Sequence, residues 1–265
     1  MSLAINTNLE AMDANRNLNS TESMLSQSMQ RLSSGLRINS AADDVAGYAI
    51  SQKLEGQVNG LNQATQNSQD AVSLAQTAQG SLNDVSQMLQ RVRELAVQYA
   101  NGTTSTSDKE AITSEVTQLT SEIERVGETT QFNGINLLSE AATISFQVGA
   151  NDKEVIGVKT ADLKTSIEKK IELTATEPIK GIDEAIDTVS ALAGEFGAVQ
   201  DRIQYTEANL ETYSQNLASA QSGIVDVNMA AEMTNFTKLQ VLEQAGISVL
   251  AQANAQPQAV LKLLQ

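Results

Sequence analysis

The 265 residues contain no Cys, no His and no Trp. Without His, the Ser-His-Asp and Cys-His forms of nucleophilic catalysis are closed. Without Cys or His, the usual zinc sites go too. No disulfide can form, so the redox state of the compartment is left open. Aromatic residues make up 3% (four Phe, four Tyr), too little for a conventional α/β enzyme core. Two Pro in the whole chain, with abundant Ala, Leu, Gln, Glu and Ser, point to long helices. Positive charge is scarce: 17 Lys and Arg against 32 Asp and Glu leave a net −15. That argues against nucleic acid, whose phosphates need clustered cations, and against an anionic membrane surface. No apolar run approaches the ~20 residues that span a bilayer. The opening Met1-Ser2-Leu3-Ala4-Ile5-Asn6 has no basic region and no apolar core of signal-peptide length. Export, if it occurs, therefore uses a route without a cleaved signal.

The charge that is present sits in the middle. Residues 1–40 carry a net 0 and residues 226–265 a net −1, which leaves −14 for the segment between them. The ends are sparsely charged but rich in Leu, Ile, Val and Met. This division suggests ends buried against other chains and a solvated middle. Two ordinary terminal helices of a bundle are the plainer alternative.

Heptads organise most of the chain. Ala11, Leu18, Leu25 and Leu32 repeat at seven, with Met29 and Leu36 in the companion positions. A second helix is predicted from about Asp44 to Tyr99, about 80 Å long at 1.5 Å per residue, so the body is a rod. Its seam runs Leu54, Val58, Leu61, Thr65, Ser68, Val72 and Ala75, slips once as a stutter, and resumes with Leu82, Val85, Leu89, Val92, Ala96 and Tyr99. Ser107-Asp108-Lys109-Glu110 reads as a capping box for a third helix with Ile112, Val116, Leu119, Ile123 and Val126 inward. Asn133-Gly134 predicts a turn. Ile144, Phe146 and Val148, a turn at 149–152, then Val155, Ile156 and Val158 predict a β-hairpin. After Pro178, the last long helix alternates 4,3 through Leu192, Phe196, Val199, Ile203, Thr206, Leu210, Tyr213, Leu217, Ala220 and Ile224. A final helix holds Met229, Met233, Phe236, Leu239 and Leu242, with Pro257, Leu261, Leu263 and Leu264 closing the chain. The expected fold is mainly α: a long antiparallel coiled-coil rod, a small β-hairpin insert, and paired N- and C-terminal helices. The expected divisions are 1–43, 44–140, 141–177, 178–225 and 226–265. The first and last form one inner domain and the rest a rod domain.

Several motifs resemble bacterial flagellin. They are Met1 to Met12, Gln30-Arg31-Leu32-Ser33-Ser34-Gly35-Leu36-Arg37-Ile38-Asn39-Ser40-Ala41-Ala42-Asp43-Asp44, Gln90-Arg91-Val92-Arg93-Glu94-Leu95-Ala96-Val97-Gln98, Thr130-Gln131-Phe132-Asn133-Gly134 and the tail Met229–Leu264. About 37 residues separate the rod halves, so the resemblance is to a short, core-only form without large outer domains. It implies a structural subunit of the helical flagellar filament, used in motility and located outside the cell. It also implies type III export, an export chaperone on the C-terminal segment, a cap, hook-associated junction proteins and the flagellin-sensing Toll-like receptor.

Two surfaces are then candidates. Arg91, Leu95 and Gln98 stand at i, i+4, i+7 beside the seam, and Leu95 is expected as an exposed anchor. The resemblance joins Gln90 and Glu115 to them, as a receptor contact or an axial contact between subunits. Leu18, Leu25, Met29 and Leu32 at one end, and Met229, Met233 and Phe236 at the other, form stripes for polymerisation or for a chaperone groove. Burying one stripe offsets less than ordering forty residues costs, so the ends are expected to fold only between neighbours. Asp43-Asp44 and Asp183-Glu184 are paired acids, but at helix starts, where carboxylates are favoured electrostatically. No catalytic, cofactor or metal site is expected. The alternatives are a hook–filament junction protein of the same architecture or, from another class, a cytosolic coiled-coil adaptor.

Overall fold

The structure, a computed structural model, describes residues 7–167, 170–173 and 177–263, with side chains through Gln256. Residues 1–6 of the first motif, and the side chains of Pro257, Leu261, Leu263 and Leu264, lie outside the described residues. The helices are α1 (Leu9–Ser34), α2 (Val45–Ala100), α3 (Thr106–Thr129), α4 (Leu163–Ile167), α5 (Pro178–Val225) and α6 (Met229–Leu263). The strands are β1 (Gln131–Phe132), β2 (Ile135–Asn136), β3 (Thr143–Gln147) and β4 (Val155–Lys159). The chain divides into two compact units, Met1–Gly56 with Leu217–Gln265, and Gln57–Asn216.

The first unit pairs the two ends. The Asn8 side chain caps α1 by accepting from the Ala11 N–H at 3.1 Å. At the other end Gly35 takes φ 73°, the left-handed conformation, and its N–H donates to the Arg31 carbonyl. An extended stretch follows. Arg37 N–H donates to the Val225 carbonyl at 2.6 Å, and Val227 N–H to the Gly35 carbonyl at 2.9 Å, around a Leu36–Asp226 bridge. The Asp43 carboxylate then ties the loop before α2: it accepts from the Asn39 and Ser40 N–H groups, the Ser40 hydroxyl and the Gln27 amide. Asp44 caps α2 through the Gly47 N–H at 2.9 Å.

α1 and α6 run antiparallel, joined by Asn8 to the Ala253 carbonyl at 2.8 Å and by Ser28 to Glu232 at 2.5 Å. The seam of α1 is Ala11, Ala14, Leu18, Thr21, Leu25, Ser28 and Leu32. The Leu row is the expected one. Its companions are the residues three along, which are small or polar, and not Met29, which is exposed. The i+4 choice followed bulk, whereas the partner helix selects the phase.

The second unit is a long-helix bundle. Asn62 bonds Ser214, Gln69 bonds Glu207 and Arg93 bonds Asp183. Steps of 7 and 24 residues along α2 are matched by steps of 7 and 24 back along α5, so the two helices are antiparallel in one register. The α2 seam is Leu61, Ala64, Ser68, Ala71, Ala75, Ala78, Leu82, Val85, Leu89, Val92, Ala96 and Tyr99. It alternates 3,4 throughout, with no stutter at 75–82. Reading for bulk put Thr65 and Val72 inward where the fold buries Ala64 and Ala71. On α5 the seam extends back to Ile182, Ala185 and Val189, and shifts after Leu210. Tyr213 faces solvent and Ser214 turns inward to Asn62.

α3 closes over this pair. Its cap is Ser105 with Asp108, not the expected box at 107–110. The Ser105 hydroxyl accepts from Asp108 N–H, and the Asp108 carboxylate accepts from Ser105 N–H, both at 3.2 Å. Ile112, Val116 and Ile123 enter a cluster with Leu82, Leu89 and Val92 of α2 and Ile182, Val189 and Phe196 of α5. Asn133 and Gly134, both at positive φ, make the two-residue turn between β1 and β2.

The expected hairpin is β3–β4, antiparallel, with Thr143 opposite Lys159 and Gln147 opposite Val155. Val148 and Ile156 pack with Ala71 and Ile203. The Asn67 amide donates to the Gln147 carbonyl at 3.0 Å, and Gly60 lies so close to Ala150 that a Cβ there would stand 3.0 Å from it.

Candidate contact surfaces

The end helices put their polar groups in the wrong place for a solvated pair. On α6 the seam positions are Glu232, Phe236, Leu239, Glu243, Gly246, Leu250 and Ala253. Two of its acids therefore turn toward α1. At 100° per residue, Val241 lies opposite the seam, Leu242 and Val249 on one flank, and Met229, Met233 and Ile247 on the other. All six are exposed, Val241 at 62%. Among exposed Thr234, Thr237, Lys238 and Gln244, α6 thus carries apolar side chains on every side, more than one partner helix covers. α1 shows the same feature more weakly, with Leu9, Met12, Met24 and Met29 outward.

The seven sequence-selected stripe residues thus split into two sets. Leu18, Leu25, Leu32 and Phe236 line the intramolecular seam, half-buried. Met29, Met229 and Met233 stand outside it. Val241, Leu242, Ile247 and Val249 complete the outward face and were missed. The signal was in the sequence, since they fall off the Leu239–Leu250 heptad while being fully apolar.

In the second unit, Arg91 is the hinge of the other candidate surface. Its guanidinium bonds Glu115 of α3 at 3.0 Å and Glu94 one turn on at 3.1 Å. Hydrogen bonds to Glu94 and then Glu115 hold the guanidinium above its ordinary pKa. Gln90, Arg91, Gln98 and Glu115 are all exposed. Leu95 is not: it is 2% exposed and belongs to the central cluster. The expected exposed anchor is corrected here. A single seam assumes one partner, whereas this stretch of α2 is covered by α3 as well as α5, which widens its buried face. The surface is a polar one, with Arg93 paired to Asp183 at 2.6 Å beside it.

Three of the four acids weighed for chemistry have structural partners. Asp43 holds the 39–43 loop, Asp44 caps α2 and Asp183 pairs Arg93. Hydrogen bonds, first from Gln27 and then from Ser40 and Asn39, hold the Asp43 carboxyl below its ordinary pKa. Among the described residues no three acids gather at metal-binding distance, and no helix is long and apolar enough to cross a membrane.

Residues 5–143 match the family model described as the bacterial flagellin N-terminal helical region, and residues 179–264 the C-terminal helical region. The chain is 46% identical to a flagellin of Halalkalibacterium halodurans over 273 aligned residues, covering 99% of this chain and 100% of that one. It is 40% identical to a flagellin of Bacillus subtilis, again over 99% and 100% of the two chains. Among solved structures, the crystal structure of Bacillus cereus flagellin superposes with a TM-score of 0.51 at 29% identity, covering 59% of this chain and 94% of that one.

Proposed function

The chain belongs to the bacterial flagellin family, and on that premise we propose how it assembles with copies of itself as a structural subunit of the flagellar filament. The supporting observation is the outward apolar face of α6. One chain covers one stripe of that helix and leaves Val241, Leu242, Val249, Met229, Met233 and Ile247 bare. Apolar area of this kind contributes roughly 25 cal/mol per Å² when removed from water. Neighbouring copies that stack their end helices side by side remove it. In this reading residues 1–43 and 226–265 form the inner, polymerising domain and 44–225 the rod domain. The ends gain their order as neighbours arrive.

The same face serves earlier partners. Before assembly, Met229 and Met233 suit the groove of an export chaperone, since unbranched Met side chains adapt to many surfaces. Export unfolded through the type III apparatus, folding under a cap, and joining to hook-associated junction proteins complete the path. The Gln90, Arg91, Gln98 and Glu115 surface contacts either the next subunit along the axis or the flagellin-sensing Toll-like receptor. Its charge-paired character favours a partner that offers hydrogen bonds over one that offers an apolar pocket. Full-length alignment with flagellins supports a filament subunit over a junction protein or an adaptor.

Salt-induced assembly of the purified full-length protein, viewed by electron microscopy, tests the reading. The wild type grows helical tubes. Val241→Asp with Val249→Asp leaves unfolding of the second unit unchanged and grows none. Tubes from that double variant, or a wild type that stays monomeric at high concentration, overturn it. For the polar surface, Arg91→Glu with both tube growth and receptor signalling intact removes both candidate roles.

A further inference from the structure

The chain carries seven Met and no Cys, His or Trp. Thioethers are therefore its foremost targets for a two-electron oxidant such as a peroxide. Their placement is uneven. Met12, Met24, Met29, Met229 and Met233 all belong to the end helices, and each is between 48% and 57% exposed. Met88, on α2, is half-buried and packs against the central cluster of the second unit. The rod thus shields its Met, and the ends offer theirs to water. This holds however the ends are arranged in the free chain. With α1 and α6 closed on each other the five side chains face outward; with the ends unpaired they are barer still.

Oxidation changes the character of these side chains. The sulfur lone pair attacks one oxygen of hydrogen peroxide: an S–O bond forms, the O–O bond breaks, the sulfur is oxidised by two electrons, and the departing oxygen leaves as water. The sulfoxide keeps the length of Met but carries a polar oxygen that accepts hydrogen bonds. In water that oxygen is satisfied. Pressed into an apolar contact between copies, it has no donor and bears the cost of any unpaired buried polar group. We propose that Met12, Met24, Met29, Met229 and Met233 form an oxidation site that governs assembly. Peroxide converts them to sulfoxides in the free subunit and so withholds it from the polymer. Packing between copies shields the same sulfurs once the subunit is assembled. A thiol-dependent methionine sulfoxide reductase reverses the step, releasing the oxygen as water while two thiols become a disulfide. The effect on assembly rests on the filament reading; the order of oxidation, ends before Met88, belongs to the single chain.

The test treats the purified full-length subunit with hydrogen peroxide, quenches it, and maps the products by peptide mass spectrometry. The five end sulfurs gain oxygen several-fold faster than Met88. Salt-induced assembly is then followed by sedimentation and electron microscopy. The concentration at which tubes first form rises by about tenfold or more, because one unpaired buried polar group already shifts an equilibrium constant by about that factor. Methionine sulfoxide reductase with dithiothreitol restores the original concentration. Tubes grown first and given the same peroxide keep the five sulfurs reduced. Met12→Leu, Met24→Leu, Met29→Leu, Met229→Leu and Met233→Leu combined roughly conserve volume, and the resulting subunit assembles alike with and without peroxide. Met88→Leu leaves the sensitivity in place. Should the combined variant fail to assemble, reductase rescue of the oxidised wild type makes the same decision. Three results overturn the proposal: oxidised wild type, its five sulfoxides mapped, that grows tubes at the untreated concentration; a combined variant as sensitive as the parent; or Met88 oxidised as fast as the ends. An untreated protein that never polymerises counts against the filament reading and removes the effect on assembly with it, while the order of oxidation still decides the site.

Discussion

Replacing Leu95 by Ala separates a core residue from a surface anchor. The side chain is 2% exposed, within a cluster that joins α2, α3 and α5. Truncation removes three carbons, about 2.4 kcal/mol of transfer free energy at ~0.8 kcal/mol per methylene. The cavity left in a site walled by three helices brings the total to about 3–5 kcal/mol. At ~2–4 °C per kcal/mol for a unit of this size, the melting temperature falls by about 6–20 °C. Thermal and urea unfolding followed by circular dichroism measure this. Arg91→Ala, one turn earlier and exposed, is the control: its ion pairs lie in water, so the transition stays put while the surface loses its charge. A Leu95→Ala protein that melts with the wild type refutes the burial argument and returns Leu95 to the surface. Loss of assembly by Leu95→Ala, by contrast, carries no information on contacts until the melt has been compared.

Three further outcomes follow from local geometry. Gly35→Ala costs about 1–2 kcal/mol, because a Cβ at φ 73° meets no neighbouring atom and the penalty is purely conformational; urea-driven disassembly of salt-grown tubes reads it, and Gly35→Asn costs less. Ser105→Ala removes the α3 cap and lowers stability by about 0.5–2 kcal/mol, measured as a shifted denaturant midpoint with unchanged slope. The depressed carboxyl of Asp43, held down by Gln27, Ser40 and Asn39, is lower in the folded chain than in the unfolded one. Its contribution is therefore complete above about pH 4 and lost as pH falls through the folded value; Asp43→Asn flattens that acid limb in denaturation curves taken between about pH 6 and 3.

Heptad counting located the long helices to within a residue or two, because α2 and α5 repeat their seams for many turns. Phase was harder. Thr65 and Val72 are bulkier than Ala64 and Ala71, yet the smaller residues are the buried ones. Met29 likewise outweighs Ser28, which is the buried one. Periodicity counts apolar residues, so it passes over Ser28 and Glu232, whose hydrogen bond is invisible until the helices meet. Leu95 failed for a different reason: a stripe model allows one partner, and only the fold shows that α3 covers a second face. That Glu115 shares a surface with Arg91 came from family resemblance, since 24 residues and a turn separate the two and no spacing rule connects them; their ion pair is visible only in the fold.

The hairpin's seat depends on what α2 leaves out. Gly60, Ala64 and Ala71 form a notch along that helix, and Ala150 and Val148 settle against it. A notch selects for shortness of side chain, so a substitution that a hydrophobicity score would welcome, Gly60→Leu or Ala71→Leu, acts as a lever under the β-ribbon. At Gly60 and Ala71 any enlargement has to be answered by a matching loss of volume across the gap.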